Sequence, residues 1–146
     1  MSLITPADQT KLTEAFADLT RSVTLLFFTQ TLDCETCLQT RQILDELPPL
    51  SGRIAIEEVN FVLEKDKAAQ YGIDRVPAIA VVYDEAGERR DSRIRFLGAP
   101  AGYEFVSLIQ AVLLAGGRSS NLSGPSLAQL AAVDKPVTMQ VFTTPT

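Results

Sequence analysis

The chain has 146 residues, of which 46% are hydrophobic and 21% are charged, and its formal net charge is -5. This length is enough for one well-buried core, so a single main domain is expected. The negative charge, without a dense run of lysine and arginine, argues against nucleic acid as a partner. No apolar stretch approaches the roughly 18 residues that indicate a membrane-spanning helix, so no membrane association is expected.

The residue inventory also narrows the chemistry. The chain contains no histidine, which excludes histidine-based acid-base catalysis and Ser-His or Cys-His nucleophiles. Its two cysteines are close in sequence, so no disulfide framework ties distant segments together. Residues 1–6 lack the basic and long apolar regions of a secretory signal, and a cytoplasmic location is the default expectation.

The first half of the chain alternates between helical and strand patterns. Thr5 followed by Pro6 is typical of a helix N-terminus, and the run from Ser22 to Thr29 is typical of a strand buried on both faces. A pair of prolines at Pro48 and Pro49 ends the second helical pattern. The predicted elements are a helix at 6–19, a strand at 22–29, a helix at 35–47, a strand at 53–61 and a helix at 63–71.

The second half begins with a predicted hairpin and ends in a separate helix and strand. The predicted elements are strands at 77–83 and 92–97 around a turn at 85–87, a helix at 102–115, a helix at 125–133 and a strand at 137–143. The Gly/Ser-rich residues 116–124 predict a linker. The alternation of strands and helices predicts an α/β fold.

The C-terminal strand pattern repeats an earlier one. V-T-M-Q-V-F-T from Val137 resembles V-T-L-L-F-F-T from Val23, and each follows a short helix. Chance similarity is the alternative. We predict a domain at 1–115, a linker at 116–124 and, at 125–146, the start of a truncated second unit. A strand without its own sheet is expected to pair with an exposed edge, either in its own chain or in a neighbour, so a homodimer formed by strand exchange is one hypothesis.

Both cysteines lie in the segment Cys34-Glu35-Thr36-Cys37, where the buried strand pattern gives way to a helical pattern. Two thiols three positions apart at a helix start are close enough to form a disulfide. The helix N-terminus favours the thiolate of Cys34, and a thiolate is the species that attacks disulfides. The segment therefore predicts a redox-active pair.

Two further segments, Y-G-I-D-R-V-P-A from Tyr71 and F-L-G-A-P-A-G from Phe96, accompany this motif. Together they resemble the thioredoxin fold, and most closely the N-terminal half of the protein disulfide oxidoreductases, or glutaredoxin-like proteins, which fuse two thioredoxin units. The resemblance implies a central mixed β-sheet flanked by helices, with thiol-disulfide oxidoreductase activity. It implies no cofactor. The implied partners are disulfide-containing protein substrates and an electron donor, for which a flavin-dependent thioredoxin reductase and the expected second unit are the candidates.

The resemblance also assigns roles to individual residues. Cys34 matches the attacking cysteine and Cys37 the resolving cysteine. Pro77 matches the cis-proline that faces the pair, with the backbone of Val76 pairing with an extended substrate. Gly98 matches the glycine that keeps the substrate groove open.

The sequence departs from the thioredoxin pattern at several positions. Asp33 replaces the aromatic residue before the first cysteine, and with Glu35 it opposes the thiolate, which predicts a reducing or poorly reactive pair. Phe28 replaces the usual buried aspartate. Strand alternation would point Glu58 inward as a substitute proton acceptor, although a solvent-facing carboxylate at a strand end is the common alternative. Arg75 is a candidate to offset the two acidic residues, although a solvated loop arginine is the common alternative.

Two other functions fit the same residues. The domain could be a thioredoxin-fold scaffold or protein-binding module without turnover. Thiolates also bind zinc or iron-sulfur clusters, usually as four ligands, so a metal would have to be bound between two chains.

Overall fold

The structure, a computed structural model, describes residues 2–144. Its helices are α1 (Pro6–Phe16), α2 (Cys37–Asp45), α3 (Lys65–Gln70), α4 (Tyr103–Ala115) and α5 (Gly124–Ala131). Its strands are β1 (Val23–Thr29), β2 (Ile54–Asn60), β3 (Ala78–Glu85) and β4 (Glu88–Leu97). A 3-10 turn, Pro48–Leu50, follows α2. The predicted elements of residues 1–115 are all present, with shifted ends.

The four strands form one mixed sheet in the order β2-β1-β3-β4. β1 pairs in parallel with β2 and antiparallel with β3, and β4 pairs antiparallel with β3. β1 is central and buried almost throughout, which confirms the strand predicted from its unbroken apolar run. The α/β class and the mixed sheet flanked by helices are confirmed.

The sheet separates two hydrophobic clusters. Alternate residues of β1, including Leu25 and Phe27, pack with residues of α1, α2 and α4 on one face. Leu26 and Phe28 point to the other face, where they pack with Ala68 of α3 and its neighbours. Because successive strand residues point to opposite faces, β1 belongs to both clusters.

The hairpin is longer than predicted because β4 begins at Glu88. Its first residues are charged and exposed, so they show no apolar alternation, as is typical of an edge strand protected from further pairing. The predicted turn is confirmed. Ala86 and Gly87 have φ values of 52° and 78°, and a two-residue turn that follows the strand twist requires positive φ at both positions.

The strand predicted at 137–143 is wrong for this structure. These residues are not in a strand, and Val137 and Phe142 are 72% and 91% exposed. The segment pairs with no strand within residues 2–144, and an unpaired strand leaves its backbone hydrogen-bonding groups to water. The helix predicted before it is present as α5, none of whose residues is buried.

Candidate redox site

One end of the sheet collects the segments that carry the predicted site residues. The last residue of β1, Thr29, pairs with Asn60 at the end of β2. Phe28 pairs with Ala78 at the start of β3, and Ala78 pairs with Leu97 at the end of β4. The cysteine loop that follows β1, the Val76–Pro77 segment that precedes β3 and Gly98 after β4 therefore emerge at the same end of the sheet.

The two cysteines are joined by a disulfide, with their Cα atoms 5.5 Å apart. Cys34 is half-buried, whereas Cys37 is only 6% exposed. An incoming group thus has access to Cys34, and Cys37 is shielded beneath it. This asymmetry separates one accessible sulfur from one protected sulfur.

The helix start differs from the prediction. α2 begins at Cys37, with Thr36 as its N-cap, so Cys34 lies in the preceding loop and not on the first turn. The disulfide still holds the Cys34 sulfur beside the N-terminus of α2. The first N–H groups of a helix have no partner inside it and attract negative charge, so this position favours a Cys34 thiolate.

Thr40 fixes the first turn of α2 and was not singled out by sequence reasoning. It is fully buried, and its hydroxyl donates to the carbonyl of Thr36 at 2.8 Å, to which its backbone N–H also donates at 2.9 Å. The sequence did offer a sign of this role. Thr40 is a polar residue three positions after Cys37, on the side of the helix that carries the buried residues.

Glu58 lies on the face of the sheet that carries α2, but its side chain is 47% exposed and not enclosed in the core. It forms an ion pair with Arg41, which also pairs with Asp45 at 3.2 Å. Of the two positions considered for Glu58, the structure shows the solvent-facing one and not the enclosed one, because β2 is an edge strand whose outer side is open to solvent. Arg41, one helical turn beyond Cys37, was missed because its partner is distant in sequence.

The Val76–Pro77 peptide bond is cis, as the resemblance implied. Pro77 is buried and Val76 is half-buried. The carbonyl of Pro77 accepts a hydrogen bond from the N–H of Gly98 at 2.8 Å. Gly98 has φ +102°, a conformation that other residues rarely adopt, and no atom beyond its own chain neighbours lies within 4 Å of the place a Cβ would occupy. Gly98 therefore borders open space directly beside Pro77.

Arg75 is not placed to offset the acidic residues of the cysteine loop. Its side chain is 64% exposed, and it forms an ion pair with its neighbour Asp74 at 2.8 Å. The hydrogen bond from Arg75 lowers the pKa of the Asp74 carboxyl. The expected partnership of Arg75 with Asp33 and Glu35 is replaced by this local pair in solvent, the common outcome for a loop arginine.

Asp33 and Glu35 flank Cys34 and are both exposed. Within residues 2–144, neither carboxylate has a basic group within ion-pair distance. Asp33 adopts φ 54°, a conformation in which aspartate is enriched among non-glycine residues. The cysteine loop therefore carries two uncompensated negative charges.

A separate apolar cavity of about 620 Å³ lies between α1, α2 and the start of α4, and Ile43, Phe105 and Ile109 are among its lining residues. None of the predicted site residues lines it. Among residues 2–144, no group of three or more potential metal ligands is assembled. None of the helices in that part of the chain is long and apolar enough to cross a membrane.

Comparison with known proteins places this arrangement in context. A protein of Methanothermobacter thermautotrophicus named "Probable Thioredoxin" is 30% identical over 77 residues, covering 52% of this chain and 80% of that protein. The NTD_N/C domain of alkylhydroperoxide reductase AhpF from Enterococcus faecalis has a TM-score of 0.80 and 30% identity, covering 90% of this chain and 62% of that one. This chain thus spans less than two thirds of the AhpF domain.

The protein disulfide oxidoreductase from Aeropyrum pernix has a TM-score of 0.72 at 21% identity, covering 88% of this chain and 54% of that one. At this identity the likeness shows the fold alone. No family model matches the chain. The fold, the cysteine pair and the archaeal relative nevertheless agree. The chain belongs to the thioredoxin family, and its Cys34–Cys37 pair makes it a thiol-disulfide oxidoreductase.

Proposed function

We propose that Cys34 attacks disulfides in protein substrates and that Cys37 resolves the mixed disulfide. The observation that carries this proposal is the disulfide between a half-buried and a 6% exposed cysteine. The accessible sulfur meets the substrate first. The buried one reacts only with a sulfur already bonded to its neighbour.

The reaction balances without a cofactor. The Cys34 thiolate bonds to one substrate sulfur, the substrate S–S bond breaks, and one substrate thiolate leaves. Cys37, once deprotonated, then bonds to the Cys34 sulfur and releases the second substrate thiolate. The substrate gains two electrons, the protein dithiol loses them, and solvent protonates the released thiolates.

Val76, Pro77 and Gly98 are proposed to form the substrate groove. Val76 and Pro77 enter β3 at the same end of the sheet as the cysteine loop, and Gly98 is hydrogen-bonded to Pro77 beside open space. An extended polypeptide laid there can form strand-like backbone hydrogen bonds with Val76. Arg75, paired with Asp74 in solvent, is assigned only a peripheral place at the rim of this groove.

For Glu58, its ion pair with Arg41 favours a charge-balancing role over the direct proton-acceptor role expected from the sequence. Glu58 partly neutralises a cation that lies one helical turn from Cys37. Removing this carboxylate as Glu58→Gln should lower the pKa of the Cys37 thiol in the reduced protein. A slower resolving step with an unchanged thiol pKa would instead support direct proton transfer.

Substitution of each cysteine tests the proposed roles. Cys37→Ser should accumulate a mixed disulfide between Cys34 and a disulfide-bearing protein such as insulin, detectable by mass spectrometry and released by dithiothreitol. Cys34→Ser is the matched control and should form no such species. Equal trapping by both variants would contradict the assigned roles. Binding without any trapped species would favour a protein-binding module.

The partners belong to two general classes, disulfide substrates and a reductase that returns electrons to the pair. A flavin-dependent thioredoxin reductase is the proposed donor. A cytoplasmic location is part of this proposal, because the proposed reductase would keep the Cys34–Cys37 pair reduced there.

A homodimer formed through residues 137–143 is also proposed. Val141 and Phe142 are 82% and 91% exposed, and β2 and β4 have free edges. The charged residues of β4 oppose pairing, so β2 is the proposed acceptor. Sedimentation should show a dimer for the full chain and a monomer after deletion of residues 137–146. A monomeric full chain would contradict the dimer.

A further inference from the structure

The acidic side chains beside Cys34 are not paired with basic side chains in the part of the chain that the structure describes. The cysteine loop and the start of α2, which surround Cys34, are called the mouth of the site here. Asp33 and Glu35 are exposed and make no ion pair within residues 2–144. They are the residues directly before and after Cys34, so their Cα atoms each lie about 3.8 Å from its Cα. Both carboxylates are therefore carried by the same short loop that carries Cys34.

The basic residues carried by neighbouring segments do not cancel this charge. Arg75 is paired with Asp74, and Arg41 is paired with both Asp45 and Glu58. Lys65, at the start of α3, stands between two acidic residues of the sequence. The formal charge of these side chains therefore sums to a negative value.

The cysteine loop and the start of α2 also expose two large apolar side chains. Leu32 and Leu38 are 76% and 70% exposed, on either side of the cysteine pair. Large exposed aliphatic side chains that flank a reactive group favour contact with a polypeptide over contact with a small polar molecule. The mouth of the site thus combines negative charge with apolar surface.

We propose that Asp33 and Glu35 are specificity-determining residues that select disulfides flanked by basic side chains and reject anionic ones such as oxidised glutathione. This inference rests on the proposed function, because the two carboxylates form no site of their own. They act on whatever disulfide approaches Cys34. The preferred substrate is a polypeptide with lysine or arginine beside its disulfide.

The expected size follows from charge attraction in partly screened water. At physiological salt the screening length is about 8 Å, which is comparable to the separation between a substrate side chain and these carboxylates. Complementary charge at a contact chiefly raises the association rate, and mismatched charge lowers it. Together, the two carboxylates should favour a basic over an acidic disulfide by about tenfold at low salt, and high salt should remove most of this preference.

Matched peptide substrates test the proposal. Three disulfide-linked peptide dimers of the same sequence, with Lys, Gln or Glu beside the cysteine, are offered to the pre-reduced full chain, and the rate of oxidation of the protein dithiol is measured. In the reaction, the peptide disulfide gains two electrons and yields two thiols, while Cys34 and Cys37 form their disulfide. The Lys peptide should react fastest and the Glu peptide slowest.

The variant Asp33→Asn with Glu35→Gln should reduce the Lys-to-Glu rate ratio to about that of the high-salt reaction. Both substitutions also change the reactivity of Cys34, but this effect is common to all three peptides and cancels in the ratio. Asp18→Asn is the matched control, because Asp18 is exposed and precedes the start of β1, at the opposite end of the sheet. It should leave the ratio unchanged.

The outcomes separate this inference from the proposed function. Failure of the neutral Gln peptide to oxidise the dithiol would overturn the proposed function itself. Oxidation by all three peptides at similar rates, or a Lys-to-Glu ratio that persists in the double variant, would leave the exchange reaction intact and overturn the role of Asp33 and Glu35. A ratio that falls equally in Asp18→Asn would assign the preference to net charge and also overturn it.

Discussion

Two segments of this chain share a strand pattern but differ in structure. Val23–Thr29 forms the central strand β1, whereas the similar residues from Val137 to Thr143 form no strand. Phe28 of the first segment is 0% exposed, and Phe142, at the equivalent position of the second, is 91% exposed. The apolar pattern thus specifies a strand only where neighbouring strands supply hydrogen-bond partners and helices cover its faces.

The surroundings of the two segments explain the difference. β1 pairs along its length with β2 and β3, and hydrophobic clusters cover both its faces. The C-terminal segment contacts the domain through the Thr143 hydroxyl, which donates to Glu104 of α4. One segment is held by packing, and the other by a solvent-exposed hydrogen bond that contributes little to stability.

The largest expected difference in stability is between truncations of the two equivalent phenylalanines, Phe28 and Phe142. Phe28→Ala removes a fully buried ring that lies 6.2 Å from the ring of Tyr71, and should lower the free energy of unfolding by about 3–5 kcal/mol. In the monomeric chain, at a protein concentration below that at which the proposed dimer forms, Phe142→Ala should change it by less than about 0.5 kcal/mol. Denaturant unfolding followed by circular dichroism measures both.

If Phe28→Ala fails to fold, the milder Phe28→Leu, expected to lose about 1–1.5 kcal/mol, provides the same comparison. Equal losses from the Phe28 and Phe142 variants, both measured in the monomer, would show that the C-terminal segment is packed against its own domain. That result would contradict the conclusion that only the first of the two segments is packed in the core.

The fold was largely predictable because its main determinants are local. The buried strand β1, the Thr5 cap of α1 and the positive-φ turn at Gly87 each have a sequence pattern with one dominant structural outcome. The first half of β4 was not predicted, because an edge strand covered by charged side chains carries no apolar alternation. The strand predicted at 137–143 was wrong for the opposite reason. These residues have the apolar pattern of a strand, but no strand within residues 2–144 pairs with them.

The candidate site likewise has features that were predictable from sequence and features that were not. The cysteine pair and the cis bond before Pro77 were predictable from short motifs. The ion pair between Arg41 and Glu58 was not, because it joins residues on separate elements and depends on how α2 lies over the sheet edge. Sequence spacing locates reactive atoms well, but it does not determine which distant charge will pair with a side chain.

A smaller effect is expected from the two helix caps. The Thr5 hydroxyl accepts a hydrogen bond from the N–H of Asp8 at 3.2 Å, and α1 packs Phe16 into the core. Thr5→Ala should therefore lower the free energy of unfolding by about 1 kcal/mol. Ser123 caps α5 in the same way, but α5 buries no residue.

Ser123→Ala should consequently leave the unfolding midpoint unchanged and reduce only the helical signal, because a helix of this length without packing is marginal in water. Hydrogen exchange of the α5 amides should be fast in the wild type and faster in this variant. An unfolding midpoint lowered as much as by Thr5→Ala would show that α5 is coupled to the domain.

The smallest expected effect on the free energy of unfolding comes from neutralising a surface carboxylate, either on the sheet or near the C-terminus. Glu57 of β2 accepts hydrogen bonds from Lys67 and, at 3.0 Å, from Arg89, and its side chain is 35% exposed. The hydrogen bond from Lys67, aided by Arg89, lowers the pKa of the Glu57 carboxyl, against an opposing effect of burial. Asp134, which lies between α5 and the C-terminal segment, is exposed and is the matched control.

A carboxyl whose pKa is lower in the folded state stabilises the fold above its unfolded pKa of about 4.3, and this stabilisation is lost as the pH falls through the folded pKa. At neutral pH, Glu57→Gln should therefore lower the free energy of unfolding by less than about 1 kcal/mol, because the group is partly exposed. The difference from wild type should shrink as the solution is acidified below the unfolded pKa. Asp134→Asn should have the stability of the wild type across the same pH series, since no packed structure surrounds this residue. A pH-dependent loss of stability in Asp134→Asn equal to that in Glu57→Gln would contradict this contrast. It would mean that the region around Asp134 is part of the same folded unit as β2.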